Sequence, residues 1–169
     1  MCAEIYGKSA KSGSFGLYIR VKMWYNNCAA QKPDYKGGIG MKLVITMSRR
    51  YGTGASRIAQ ELSERLDIPV YDKVNVEEEM SSHTYDSEVE VIKKLAEKPC
   101  IILGRCASEI LKDRRNVFNI YVCADKEDRI KRIMGKEGLS REEAEKKIEK
   151  TDKERAEYYY EHTGKTWGD

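Results

Sequence analysis

Four short apolar runs separated by stretches of a different period limit what this chain can become. They lie at residues 42–47, 68–71, 100–103 and 117–123. Each is too short for a buried helix and rich enough in Val and Ile for a strand. Between them the period becomes helical. Ile58, Ala59, Leu62 and Leu66 share one helical face. A second helix is predicted from about Ser87, with Ser87 and Glu90 as a capping box and Val89, Ile92, Leu95 and Ala96 inward. A third starts after Asp125, buries Ile130, Ile133 and Met134, and ends at Gly138. A second capping box, Ser140 with Glu143, opens a long charged helix to about Tyr160. Residues 73–86 are polar and show no pattern. Strands alternating with helices predict a parallel sheet covered on both faces. Ligands of such sheets sit at the carboxyl ends of the strands, so the turns after Met47, Tyr71, Leu103 and Cys123 carry the functional information.

The length, 169 residues, matches one domain, and 40% hydrophobic residues supply enough to bury. No apolar run approaches the ~18 residues of a membrane span, and the first residues hold no signal-peptide core. Five cysteines form no CxxC pair, which reads as reduced thiols in a cytoplasmic protein. The net charge of +3 is unevenly placed. Residues 1–40 hold six basic and two acidic residues, or +4, and residues 41–169 hold 25 and 26, or −1. Within 1–40 only 17–23 alternates like a strand, and no partner for it is evident. Domain boundaries are therefore set at 1–40, an unmatched leader, and 41–169.

The most informative turn follows the first run. Gly52-Thr53-Gly54-Ala55-Ser56 joins a strand to a helix, and such a turn aims backbone N–H groups and the helix's partial positive charge at an anion. The full GxxxxGK[ST] pattern is missing, because Ala55 stands in the lysine's place. The missing cation would come from Arg49, Arg50 or Arg57. An ordinary tight turn explains the same residues equally well. Gly7-Lys8-Ser9 and Gly164-Lys165-Thr166 look like phosphate-loop ends, but neither has the earlier glycine nor links a strand to a helix.

Several segments together resemble the cytidylate kinase-like family of P-loop proteins. They are Ile45 to Gly54, Leu66-Asp67-Ile68-Pro69-Val70-Tyr71-Asp72-Lys73, Ile101-Ile102-Leu103-Gly104-Arg105-Cys106-Ala107, Asp125 to Met134, and Lys150 to Asp169. The resemblance implies an α/β three-layer sandwich of the nucleoside monophosphate kinase type. It also implies a parallel sheet and a helical lid at about 135–160. The implied reaction is phosphoryl transfer from ATP with Mg²⁺, and CMP or dCMP is the first acceptor to test. By position, Ser48, Arg49, Gly52, Thr53, Gly54, Ala55, Ser56 and Arg57 would bind ATP. Asp72, Gly104, Arg105 and Cys106 would face the acceptor. Arg129, Arg132, Lys153 and Arg155 would act in the lid. Arg105 and Arg155 carry the most weight, because a planar guanidinium fork matches phosphate oxygens. No protein metal ligand is implied. For Lys153 a solvated helix face with i,i+4 ion pairs explains the residue equally well.

The chain also departs from the family pattern. Ser56 and Arg57 replace the usual Arg-Glu, and Cys106 replaces an aspartate beside the base in bacterial CMP kinases. Only about a dozen residues remain where relatives carry an acceptor-binding arm, and the last strand of the family's sheet is expected to be lacking. A bare edge is then expected, with self-association to cover it. Two other readings stay open: a nucleotide-binding relative with weak catalysis, and a nucleic-acid-binding protein using 1–40 as a basic arm with Tyr18, Trp24 and Tyr25 for stacking. Lys36-Gly37-Gly38 is what AAA-GGA-GGN encodes, a ribosome-binding sequence read in frame. Hence residues 1–40 are expected to be either a disordered leader or an upstream reading before a start at Met41.

Overall fold

Residues 3–8, 18–25 and 43–168 are described from a computed structural model. Six strands form one sheet in the order β1-β2-β6-β3-β5-β4. They are β1 (Ala3–Lys8), β2 (Tyr18–Tyr25), β3 (Val44–Arg49), β4 (Val70–Tyr71), β5 (Cys100–Leu103) and β6 (Val117–Ala124). The helices are α1 (Ala55–Leu66), α2 (Lys73–Glu79), α3 (Tyr85–Leu95), α4 (Ala107–Ile110), α5 (Lys126–Glu137) and α6 (Arg141–Thr163). Among the described helices none is long and apolar enough to cross a membrane.

The four strands expected from the apolar runs pair in parallel. β3 is central, with Val44 beside Cys100 of β5 and Val117 of β6. The pleat divides their side chains between two cores. Val44, Ile102 and Val117 join Ile92 and Leu111 on one face. Ile45, Met47, Ile101 and Val122 join Ala55 and Ala59 of α1 on the other. Burial of one such Ile or Val is worth about 1.5–3 kcal/mol. A third cluster, Ile130, Ile133, Ala144 and Ile148, locks α5 against α6. The two helices span the lid region expected at about 135–160.

Four details differ from the sequence reading. The strand expected at 17–23 is β2, and it has partners: it pairs antiparallel with β1 and with β6. The outer edge of β6 is therefore covered by β2, where a bare edge was expected. Residues 73–86 are not featureless, because Asp72 and Asn75 form a capping box that starts α2. With one buried residue, Val76, this helix leaves no periodic signal. Third, α3 starts at Tyr85, capped by Thr84, and the Ser87 hydroxyl instead accepts the Ser81 N–H at 3.1 Å. The buried face of α3 accordingly holds Glu88, Val91 and Ile92. The short α4 had not been expected; its buried Ala107 supports a single turn.

Candidate active site

Two turns at the carboxyl ends of β3 and β5 and the face of α6 build the site. After β3 the chain reaches Gly52 and Gly54 in left-handed backbone (φ +80° and +78°), a region open to glycine without strain. Gly54 is the N-cap of α1. No side chain caps this helix end, and its first turn holds no acidic residue. The first-turn N–H groups of a helix have no acceptor within it, so this end is ready for an anion. Thr53 donates its hydroxyl to the Arg50 carbonyl at 2.8 Å and stiffens the turn.

The cation beside this turn comes from α5. A Cβ placed on Gly54 would lie 2.7 Å from Nη1 of Arg132, so the guanidinium rests directly against the glycine. Its Nε is buried with no hydrogen-bond partner. The three arginines nearest in sequence do other things. Arg57 pairs with Glu61 at 3.0 Å on the exposed side of α1. Arg50 donates through Nε to the Tyr121 hydroxyl at 3.3 Å. Arg49 turns toward Gly104, where an added Cβ would collide with its Nη1. Ala55 is buried and offers only its backbone to a ligand, and Ser56 is exposed.

After β5, Gly104, Arg105 and Cys106 are all left-handed (φ +75°, +57° and +53°). Two non-glycine residues in this region mark a strained turn. The turn and the end of β3 line a cavity of about 340 Å³ together with Lys73, Arg155, Tyr158 and Trp167. Ser48, Arg49, Arg105 and Cys106 all face it. Burial, and then the charge of Arg155, push Arg49 down to about 10 from the usual arginine value. Burial likewise lowers Arg155. The Cys106 thiol is pushed up to about 12, chiefly by burial, so it stays neutral. Asp72 does not line the cavity; its carboxylate accepts the N–H groups of Val74 at 2.9 Å and Asn75 at 3.3 Å.

One face of α6 touches each part. Asp152 accepts the Tyr51 N–H at 2.7 Å through one oxygen and Arg129 at 2.6 Å through the other. Arg129 also donates to the Tyr51 carbonyl at 3.2 Å, so it braces the turn after β3 from below. Three residues on, Arg155 donates to the Arg49 carbonyl at 2.9 Å. Three further on, Tyr158 donates to Glu88 at 2.8 Å. Lys153 lies on the opposite, exposed face and pairs with Glu157 at 3.6 Å.

Of the residues singled out from sequence, the structure thus brings Ser48, Arg49, Gly104, Arg105, Cys106 and Arg155 to one cavity. Gly52, Thr53, Gly54 and Arg132 gather at the helix end beside it. Arg129 and Asp72 act on the backbone, and Arg57 and Lys153 face solvent. Sequence reasoning missed Asp152, Glu88, Tyr158 and Trp167. Glu88 had a signal: it falls in the i, i+3, i+4 register of Val91 and Ile92, a charged residue on an apolar stripe.

Comparison with known proteins adds the following. The model of the cytidylate kinase-like family matches residues 44–84 and 74–169. A crystal structure of an uncharacterised protein from Eubacterium ventriosum is similar, with 33% identity and a TM-score of 0.72. The match covers 75% of this chain and 81% of that one. A shikimate kinase from Bacteroides thetaiotaomicron is more distant, at 16% identity and a TM-score of 0.47, over 70% of this chain and 82% of its own. No curated protein matches.

Proposed function

This chain belongs to the cytidylate kinase-like family, and we propose that it transfers a phosphoryl group from ATP to a small phosphorylated acceptor, a nucleoside monophosphate with CMP or dCMP first. The observation that carries this reading is the convergence of Arg49, Arg105 and Arg155 on one cavity, next to an uncapped, glycine-bearing helix end. Phosphoryl transfer needs positioning and cations more than covalent help. The α1 N-terminus would hold the donor phosphates, and Arg132 would supply the charge that the phosphate-loop lysine supplies elsewhere. Across the cavity Arg105 would take the acceptor's phosphate. Arg155, held by the Arg49 carbonyl, would meet the transferred group between them.

Tyr158, Tyr159 and Trp167 give the cavity an aromatic wall on which a planar base can stack. The described residues contain no cluster of three or more His, Cys, Asp or Glu fit to hold a metal ion. Mg²⁺ would enter with the nucleotide, coordinated in large part by its phosphates and water. A second reading, a nucleotide binder with little turnover, draws on Asp72, whose carboxylate is taken up by the cap of α2.

A coupled ADP-release assay over CMP, dCMP, UMP and AMP separates the two readings. Turnover with one acceptor and not the rest supports the kinase. Nucleotide binding without turnover supports the second reading. In an active enzyme Arg132→Ala lowers kcat/KM by about tenfold or more, as expected when a cation facing developing charge is lost. An unchanged kcat/KM in this variant counts against the role given to Arg132.

A further inference from the structure

Glu88 is the least expected residue in the fold. It is 1% exposed, on the inner face of α3, behind the cavity. One of its oxygens, Oε2, receives both Arg105 Nη2 in a short contact and the Tyr158 hydroxyl at 2.8 Å. The other, Oε1, is buried with no partner. A buried carboxylate is costly unless paired, and here a single guanidinium and a single hydroxyl compensate it. The Arg105 guanidinium is held in turn: Glu77 stands 3.7 Å away, and the Tyr158 ring lies 5.2 Å below its Cζ. Its backbone is left-handed, so the chain aims the side chain toward α3 at a conformational cost.

We propose that Glu88 is the positioning residue of the acceptor side: by gripping Arg105 and Tyr158 together, it fixes the guanidinium that receives the acceptor's phosphate and the ring beside it. The proposal rests on the reading that Arg105 binds that phosphate. Arg105 alone is a long side chain with several rotamers, and the order imposed by Glu88 removes that freedom before the ligand arrives. The same carboxylate ties α3, the turn after β5 and α6 at one point. Burial raises the Glu88 carboxyl above its usual range against the pull of Tyr158 and Arg105.

The test is titration calorimetry with CMP, inorganic phosphate and ATP on the full chain, together with the kinase assay. The variants are Glu88→Gln, Arg105→Ala, their double variant and Tyr158→Phe. Glu88→Gln keeps the shape and an acceptor for Tyr158 but removes the charge. The expected result is CMP affinity and KM weakened about tenfold or more, with ATP affinity within about twofold. Adding Glu88→Gln to Arg105→Ala should weaken CMP no further, because Glu88 acts through Arg105. A merely structural role would weaken ATP as well and would add to the loss in the double variant. Either of those outcomes, or unchanged CMP affinity in Glu88→Gln, overturns the proposal. Should Glu88→Gln fail to fold, Tyr158→Phe decides: a two- to fivefold loss of CMP affinity with ATP unchanged supports the grip, and no loss overturns it. Should the unmodified protein show no turnover but bind inorganic phosphate through Arg105, the kinase reading falls while Glu88 is judged on phosphate affinity by the same criteria. Should it bind neither CMP nor phosphate, the proposal falls too.

Discussion

Arg49 is held against its own chemistry. Its guanidinium is largely buried beside a second cation, Arg155, and its pKa drops to about 10. The sign follows from proton counting. Between about pH 10 and 12.5 the unfolded chain keeps a proton that the folded chain has lost, so stability rises with pH across that window. At neutral pH both states are charged, and the folded state bears the whole penalty. On the proposed reading an incoming phosphate would reverse that penalty, which would make Arg49 a ligand-binding residue rather than a support of the fold. Arg49→Met should therefore raise the stability of the free protein by about 1–2 kcal/mol, allowing for partial screening by solvent. It should also remove most of the rise in Tm that CMP gives the unmodified protein. Paired melting curves with and without CMP check both parts, and a less stable variant or an undiminished CMP shift would contradict them.

At the scale of elements, α6 decides what the site residues can do. Neighbours in sequence have opposite fates there. Asp152 is turned inward onto Arg129 and Tyr51, and Lys153 faces solvent with Glu157. Arg129 is 5% exposed, so its partner's charge is needed to keep it buried. Asp152→Asn should cost about 3–5 kcal/mol, read from denaturant unfolding. Lys153→Ala should stay within about 0.5 kcal/mol and leave kcat/KM within twofold. Comparable effects from the two variants would refute this division of α6 into faces. The helix itself was legible: its capping box at Ser140 and Glu143 is a local signal that the structure repeats, and the helix runs slightly past the expected end near Tyr160, to Thr163 with Gly164 as its αL cap. Which of its charges turn inward was not legible, because a low-contrast helix of Lys and Glu shows no clear stripe. The inward face is chosen by distant partners on β3, α3 and α5. The cation at Gly54 has the same cause. Sequence proximity favoured Arg49, Arg50 and Arg57, but α5 folds back to bring Arg132 there.

At the scale of the whole molecule, the four parallel strands were readable because each is a compact apolar run, β3 and β5 well buried inside the sheet and β4 half-buried at its edge. The neighbour of β6 was not, because strand pairing over a separation of about a hundred residues leaves no local trace. In the structure β2 lies antiparallel to β6 from Ile19 beside Ala124 to Tyr25 beside Phe118. β1 extends the sheet by pairing Ala3–Lys8 with the outer side of β2. The cavity lies at the carboxyl ends of β3 and β5, away from this edge. Losing β1 and β2 would therefore expose the β6 edge without touching the site directly. An unpaired edge is a template for a second copy. We predict that a 41–169 protein melts several degrees below the full chain and self-associates as concentration rises, with the first-turnover chemistry of its monomer retained. Light scattering and calorimetry on the two lengths side by side test this. A shortened protein that stays monomeric with an unchanged Tm would show that the β6 edge needs no cover, and would instead support Met41 as the working start of the fold.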